Sequence, residues 1–255
     1  MIDSSKAATL QILGIDAAVD PRNNGLAIAE YTNNRCKVRS LQTGHRGESI
    51  AHQILELIDA SCPLLVAIDA PLGWPTALTQ ALHGHAAGRQ LDGDPNELFA
   101  RTTDRFVREK TGLKPLDVGA DRIARTAAAA LKLIASLRAR TKQALPLLRS
   151  PAAAAKGGLI EVYPAATLKQ RALPFRQYKK PDATEIRMQI AASVAEELDI
   201  QPVTNQCVDS DHCLDAVLCV LGATDFLAGR CAGPAEHVHF QQEGWIWFAS
   251  RQEAF

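Results

Sequence analysis

LQILGIDAAVDPRNNGLAIAEY, residues 10–31, is the stretch that decides the fold of this chain. Residues 10–17 and 25–31 are rich in apolar strand formers, and the DPRNNG between them is dense in turn formers, which together predict an antiparallel hairpin. The first strand ends at Asp16. Burying a carboxylate without a partner costs several kcal/mol, so an acid at the end of a core strand favours a cation-binding pocket there.

The residues that follow extend the hairpin into a mixed sheet. Residues 35–42 alternate between polar and apolar and predict a third strand, and residues 48–60 carry apolar side chains at helical spacing. The apolar run 64–68 ends at Asp69 and predicts a buried parallel strand. Hairpin, third strand, helix and parallel strand in this order are typical of a ribonuclease H-like fold. We therefore expect an α/β fold with a ribonuclease H-like mixed sheet, its first three strands antiparallel and the later ones parallel, flanked by helices.

The remainder of the chain predicts one large insertion and a second set of helices. Residues 75–150 contain helical patterns and no strand pattern, which indicates an inserted helical subdomain, or lid, within a single domain of residues 1–255. The later elements are expected to be a strand at 158–163, helices at 165–171, 182–199 and 211–228, and a short strand or aromatic plug at 244–248.

Acidic residues follow apolar runs in four short motifs, and their positions predict a metal site. The motifs are LGIDAA with Asp16, VAIDAP with Asp69, IEVYPAA with Glu161, and DHCLDA with Asp211 and Asp215. Because the first and fourth strands of such a sheet lie side by side, Asp16 and Asp69 are expected to share an ion, and an oxygen-lined pocket suits Mg²⁺ or Mn²⁺. Taken singly, Asp16 is also compatible with a turn cap and Asp69 with a helix start.

Asp211 and Asp215 are four residues apart on a predicted helix and project from the same side of it. A bound divalent cation would convert their repulsion into attraction, so both are candidate metal ligands. The alternative is a helix N-cap at Asp209, Ser210 or Asp211, with Asp215 in solvent.

Glu161 and His212 each have several open roles. Glu161 is a metal ligand, a group that orients a ligand, or the partner of a helical arginine. His212 orients a water or contacts the substrate, or it lies on the surface. The sequence does not separate these alternatives.

The predicted insertion is strongly basic, although the whole chain has a formal net charge of +0. Residues 101–149 contain twelve Lys or Arg and four acids, a net charge of +8, which leaves −8 for the remainder. This asymmetry suits a polyanion handled beside an acidic metal pocket. Arg101, Arg105 and Arg108 are expected to share one helix face that binds phosphate groups. The alternative is a solvated face on which Asp104 pairs with an arginine.

Composition and absent motifs disfavour several classes of protein. An apolar content of 47% and a charged content of 22% are those of a soluble globular protein. The sequence has neither an N-terminal signal nor an apolar stretch of about 18 residues, so we expect no secretion and no membrane insertion. The six cysteines lack zinc-site spacing and are expected to be reduced residues of a cytoplasmic protein. GxxxxGK[ST], GxSxG and HExxH motifs are all missing from the sequence.

Six motifs give the chain a resemblance to a known family. They are GIDAA at 14–18, IDAPLGWP at 68–75, RTTDRFVR at 101–108, EVYPAA at 161–166, HCLDAVLC at 212–219 and EGWIWF at 243–248. Through these motifs, over nearly its whole length, the chain resembles the DUF429 family, which is grouped with predicted ribonuclease H-like nucleases. The resemblance implies that Asp16, Asp69, Glu161 and Asp215 lie where ribonuclease H-like enzymes hold metal. The large basic insertion departs from the minimal fold and leaves the choice of substrate open.

The leading hypothesis is a divalent-metal-dependent nuclease that hydrolyses phosphodiester bonds of a nucleic acid or nucleotide with two Mg²⁺ or Mn²⁺ ions. Asp16 would bridge the ions, Asp69 and Asp215 would each complete one side, and Asp211 or Glu161 would be an additional ligand or base. One alternative is an actin-like phosphotransferase, which is disfavoured because the sequence predicts only one sheet. The other is a non-catalytic nucleic-acid-binding or interaction protein on the same fold.

Overall fold

The computed structural model describes residues 9–119, 121–236 and 238–250, and six strands form its centre. They are β1 (Leu10–Asp16), β2 (Gly25–Thr32), β3 (Arg35–Thr43), β4 (Leu64–Asp69), β5 (Gly158–Val162) and β6 (Ile246–Trp247). The strands form one sheet in the order β3-β2-β1-β4-β5-β6. The first three pair antiparallel and the remaining pairs are parallel. The expected mixed sheet is therefore confirmed.

Ten α-helices flank the sheet in the described part of the chain. They are α1 (Ile50–Leu57), α2 (Thr76–Leu82), α3 (Pro95–Phe99), α4 (Thr102–Thr111), α5 (Asp121–Thr141), α6 (Pro164–Gln170), α7 (Thr184–Val194), α8 (Thr204–Asp209), α9 (Asp211–Leu227) and α10 (Phe240–Glu243). Helices α2 to α5 occupy the predicted insertion, and its role as a lid stays a prediction. None of the described helices is both long and apolar enough to cross a bilayer.

Helix α9 packs across the centre of the sheet, against β1, β2 and β4. Residues 213–226 of α9 are all buried, so the helix is apolar nearly all round. Strand side chains such as Ile12 and Ala67 pack on this side. The opposite face carries Ile15 and Ile68 and packs against α1 and α5. Because both faces are covered, the central strands are apolar along most of their length.

Two glycines allow α9 to lie directly on the sheet. A Cβ atom at Gly14 of β1 would lie 2.1 Å from the backbone oxygen of Ala216, and one at Gly25 of β2 would lie 1.9 Å from that of His212. A side chain at either position would push the helix away. This close approach brings the N-terminal end of α9 to the C-terminal end of β1.

Candidate functional site

Three carboxylates from three different elements meet at one end of the sheet. Asp16 and Asp69 are the last residues of β1 and β4, and they are direct partners in the parallel register. Asp215 comes from the N-terminal part of α9. One carboxylate oxygen of each residue lies within 4.8 Å of the others. An all-oxygen donor set of this kind suits Mg²⁺ or Mn²⁺.

The alternation of side chains along the strands explains which acids meet. Asp16 and Asp69 lie on the same face as Ala67, which packs towards α9. Glu161 is aligned with Ile68, one residue before Asp69, and therefore lies on the opposite face of the sheet. The strand tip that carries Glu161 is adjacent to the carboxylate group, but its side chain turns to other partners.

Burial and mutual repulsion both act on the carboxyl groups. Burial raises the pKa of Asp69 well above its ordinary value; Lys179 lowers it, and Asp16 and Asp215 raise it further. Burial raises the pKa of Asp215 to about 6, against the opposing effect of Lys179. Ionising several clustered carboxyls in such a pocket is costly unless a cation is near, and a divalent cation would remove that cost. The residues present therefore fit a divalent metal.

Asp16 is oriented by a histidine, whereas Asp69 has no hydrogen-bond or ion-pair partner in the described part of the chain. His212 Nδ1 lies 2.7 Å from Asp16 Oδ2, and since a carboxylate only accepts, this nitrogen carries the hydrogen. The hydrogen bond raises the pKa of His212, although burial acts in the opposite direction. Among the described residues Asp69 makes no hydrogen bond or ion pair, so its carboxylate is available to a ligand.

Tyr178 and Lys179 hold Asp215, and the sequence analysis missed both of them. The Tyr178 hydroxyl donates to Asp215 Oδ1 at 2.8 Å. Lys179 Nζ forms an ion pair with Asp215 Oδ2 at 2.5 Å, although the contact lacks the angles of a hydrogen bond. Both residues lie in the connection between α6 and α7, where no strand or helix period marks them. Tyr178 is 37 residues from Asp215 along the chain, so only folding reveals the contact.

Arg101 is the buried partner of Glu161 and Asp104. Its guanidinium donates to Glu161 at 2.7 and 2.8 Å, to Asp104 at 2.9 and 3.0 Å, and to the backbone oxygen of Glu243 at 3.0 Å. These bonds use all five N–H groups of a residue that is 1% exposed. The expectation that Arg101 binds phosphate is therefore corrected, because it has no donor left. Three roles were open for Glu161: metal ligand, group that orients a ligand, and partner of an arginine. The structure shows the third, since Glu161 pairs with Arg101 at the start of α4.

Arg105 and Arg108 are exposed on α4, apart from the buried Arg101. The single face predicted for the three arginines is not formed, because the chain turns Arg101 inward at the start of the helix. Arg105, Arg108 and Lys114 line a cavity of about 690 Å³. The carboxylates of β1 and β4 line a smaller cavity of about 300 Å³, and Pro115 borders both cavities. The acidic groups make the smaller cavity the candidate reaction site.

Ser210, and not Asp211, caps α9. Ser210 Oγ accepts a hydrogen bond from the N–H of Cys213 at 3.3 Å, which confirms one of the N-cap alternatives. Asp211 is partly exposed and does not belong to the three-carboxylate group found among the described residues. Asp215 is 0% exposed, so the alternative that placed it in solvent is wrong.

Comparison with known proteins assigns the chain to a family but not to an activity. None of the curated proteins compared with the chain matches it. The sequence model of a family described as "Protein of unknown function (DUF429)" matches residues 14–239, a range that includes all three converging carboxylates. This chain belongs to the DUF429 family.

Proposed function

We propose that this protein is a hydrolase of phosphodiester bonds, a nuclease that depends on Mg²⁺ or Mn²⁺. The observation that carries the proposal is the convergence of Asp16, Asp69 and Asp215 within 4.8 Å of one another. The carboxylate of Asp69, which has no partner within residues 9–119, 121–236 and 238–250, supports it, since a cluster of acids in a pocket is costly without a cation. The assignment of the sheet to the ribonuclease H-like fold is part of the same proposal.

The chemistry requires little from the protein beyond holding and orienting groups. When bound, the ion would acidify a water molecule and stabilise the charge of the leaving oxygen. Asp16 and Asp69 would hold the ion, and His212 keeps the Asp16 carboxylate in one orientation. In the hydrolysis the water oxygen gives up one proton and forms a bond to phosphorus, the ester P–O bond breaks, and the departing oxygen takes up a proton. No side-chain nucleophile takes part.

A polyanionic substrate is supported by the distribution of charge. The region 101–149 has a net charge of +8. Arg105, Arg108 and Lys114 line the larger cavity together with Asp104, Glu109 and Asp117, so the excess of positive charge belongs to the region and not to that cavity alone. Because Pro115 borders both cavities, these cations lie next to the carboxylate pocket. A nucleic acid with its reacting phosphate at the carboxylates would therefore have basic groups nearby for its neighbouring phosphates.

The nuclease proposal is tested by removing single metal-ligand charges. Asp16→Asn and Asp69→Asn should each lower Mn²⁺-dependent cleavage of labelled DNA and RNA by at least about 100-fold, because a carboxamide holds a divalent ion poorly. Circular dichroism should show an unchanged fold. The matched control is Asp92→Asn at an exposed position of the insertion, which should cleave like the wild type. Undiminished cleavage by Asp16→Asn would refute the assignment.

A second function, nucleic-acid binding without catalysis, is supported by the net charge of +8 of residues 101–149 alone. In that case binding would persist in EDTA and would be unaffected by Asp16→Asn. It would weaken steeply as the salt concentration rises, since phosphate contacts would dominate. Replacement of Arg105, Arg108 and Lys114 by Met should then reduce the salt dependence, which is measured by fluorescence anisotropy at several salt concentrations.

A further inference from the structure

Lys179 places a positive charge inside the carboxylate group. Its Nζ lies 2.5 Å from Asp215 Oδ2, and its side chain lines the same cavity as Asp16 and Asp69. A lysine side chain ordinarily carries its charge at neutral pH, and the ion pair with Asp215 favours the charged form.

The open carboxylate oxygens lie on one side of the group. Both oxygens of Asp215 are engaged, one by the tyrosine hydroxyl and the other by the lysine ammonium. As far as the structure describes the chain, Asp16 uses only Oδ2, for His212. Asp69 uses neither oxygen among the described residues. Among the described residues, Asp16 and Asp69 thus have carboxylate oxygens without a protein partner, whereas Asp215 has none.

The charges of the site also separate Asp215 from Asp16 and Asp69. When all three carboxyl groups are ionised, as they are around a bound cation, they and the lysine ammonium carry a net charge of −2, which one divalent cation balances. We propose that Lys179 takes the place of a second metal ion: the site binds one divalent cation through Asp16 and Asp69, while the ammonium neutralises Asp215. This inference rests on the proposed metal-dependent function and replaces its expected pair of ions by one.

The rival possibility is that Lys179 only fills the site until a second ion displaces it. The lysine side chain is 54% exposed, so its stem has room to move away. The two possibilities differ in the number of ions that the wild-type protein binds. The ion count also separates a charge-balancing lysine from one that merely packs, because loss of packing alone does not create a metal site.

The experiment counts bound Mn²⁺ by calorimetry and by electron paramagnetic resonance of the free ion at pH 7.5. The variants are Lys179→Met, which removes the charge, and Lys179→Arg, which keeps it. Lys180→Met is the matched control, since Lys180 is the exposed neighbour in the chain. Asp215→Asn tests whether that carboxylate is a ligand while Lys179 is present. Thermal unfolding of each variant verifies that it is folded.

The wild type, Lys179→Arg, Lys180→Met and Asp215→Asn are expected to bind one Mn²⁺. Lys179→Met should bind a second ion at least about tenfold more tightly than any second ion bound by the wild type, because a unit positive charge has been removed from beside it. Two ions on the wild type, or one ion on Lys179→Met, would overturn the role of Lys179 and leave a metal-dependent nuclease possible. Failure of every variant to bind Mn²⁺ would overturn the proposed function as well.

Discussion

Arg101 shows how a single buried charge in this molecule depends on its partners. Burial alone would lower the pKa of Arg101, and the carboxylates of Glu161 and Asp104 raise it above its ordinary value. Burial raises the pKa of Glu161, against the opposing effect of Arg101. Removing the guanidinium would leave two carboxylates buried without their counter-charge. The residue therefore fastens the start of α4 to the tip of β5.

Replacement of Arg101 by Met should lower the free energy of unfolding by about 3–5 kcal/mol, because the two acids lose the guanidinium that binds them both. Urea unfolding followed by circular dichroism measures the change. Arg105→Met on the exposed side of the same helix is the control and should change stability by no more than about 0.5 kcal/mol. A stable Arg101→Met variant that had lost nucleic-acid binding would instead restore the phosphate-binding role.

The individual site residues differ in how far the sequence could predict them. Asp16 and Asp69 were predictable because each ends an apolar run, and strands in that order lie side by side. Glu161 ends a similar run, but in the sheet it is aligned with Ile68 and not with Asp69, so its side chain lies on the other face. This register is set by strand pairing, which the sequence does not display. Lys179 lies in an irregular connection, where no periodicity relates it to Asp215.

Among the secondary-structure elements, the C-terminal segment fixes the position of the helical insertion. The Glu243 carboxylate accepts hydrogen bonds from the N–H of Thr76 at 2.9 Å and from that of Thr102 at 2.7 Å. Thr76 and Thr102 are the first residues of α2 and α4. In neither helix does the side chain of the N-cap residue, Pro75 or Arg101, make a capping hydrogen bond. An acid at a helix N-terminus is also favoured by the helix dipole. One carboxylate thus stabilises the starts of two helices.

Replacement of Glu243 by Gln should lower the free energy of unfolding by about 1 kcal/mol at pH 7, as the loss of a cap does. Burial alone would raise the pKa of Glu243, but the hydrogen bonds from Thr76 and Thr102 lower it below its ordinary value of 4.5. The stabilisation by the ionised carboxylate is therefore present above about pH 4.5 and is lost as the pH falls through the folded-state pKa.

The difference between wild type and Glu243→Gln should consequently shrink at acid pH, which denaturant titrations at several pH values would show. Glu196→Gln is the control at an exposed position in the turn after α7 and should show little difference at any pH. A difference for Glu243→Gln that grows below pH 4.5 would contradict the assigned direction of the shift.

The first and last residues of an element could be predicted where the local sequence pattern decides them. They could not be predicted where pairing with a distant segment decides them. The strand predicted at 35–42 forms as β3 with one further residue. The helix predicted at 182–199 ends at Val194, because Asp199 is drawn into pairing with the edge of β3. The N–H of Asp199 donates to the oxygen of Cys36, and the N–H of Val38 donates to the oxygen of Asp199, both at 2.9 Å. Such tertiary contacts override helix propensity.

At the scale of the whole molecule, the candidate metal site joins segments that are far apart in the sequence. Asp16, Asp69 and Asp215 belong to two strands and a helix that pack together in one core. An ion that binds only when these segments are assembled stabilises the folded state of the entire chain. Metal binding is therefore measurable as thermal stability without any substrate.

At a Mn²⁺ concentration about 100 times its Kd, binding should add about 2.7 kcal/mol and raise the Tm by roughly 5–10 °C. Excess EDTA should reverse the shift, and Asp69→Asn should lack it. His52→Ala is the control, since His52 with Glu48 and Glu56 forms a second, exposed group of possible ligands. A shift that survives Asp69→Asn and disappears with His52→Ala would place the ion on the surface of α1.

The central position of α9 has a consequence for the synthesis of this protein. The helix covers β1, β2 and β4, yet 196 residues separate Asp16 from His212 near its beginning. At about 5–20 residues per second, a ribosome needs about 10–40 s to translate that interval. During this time the nascent strands present an uncovered apolar face, so chaperones that bind growing chains should improve the yield of this protein more than that of one built from local contacts.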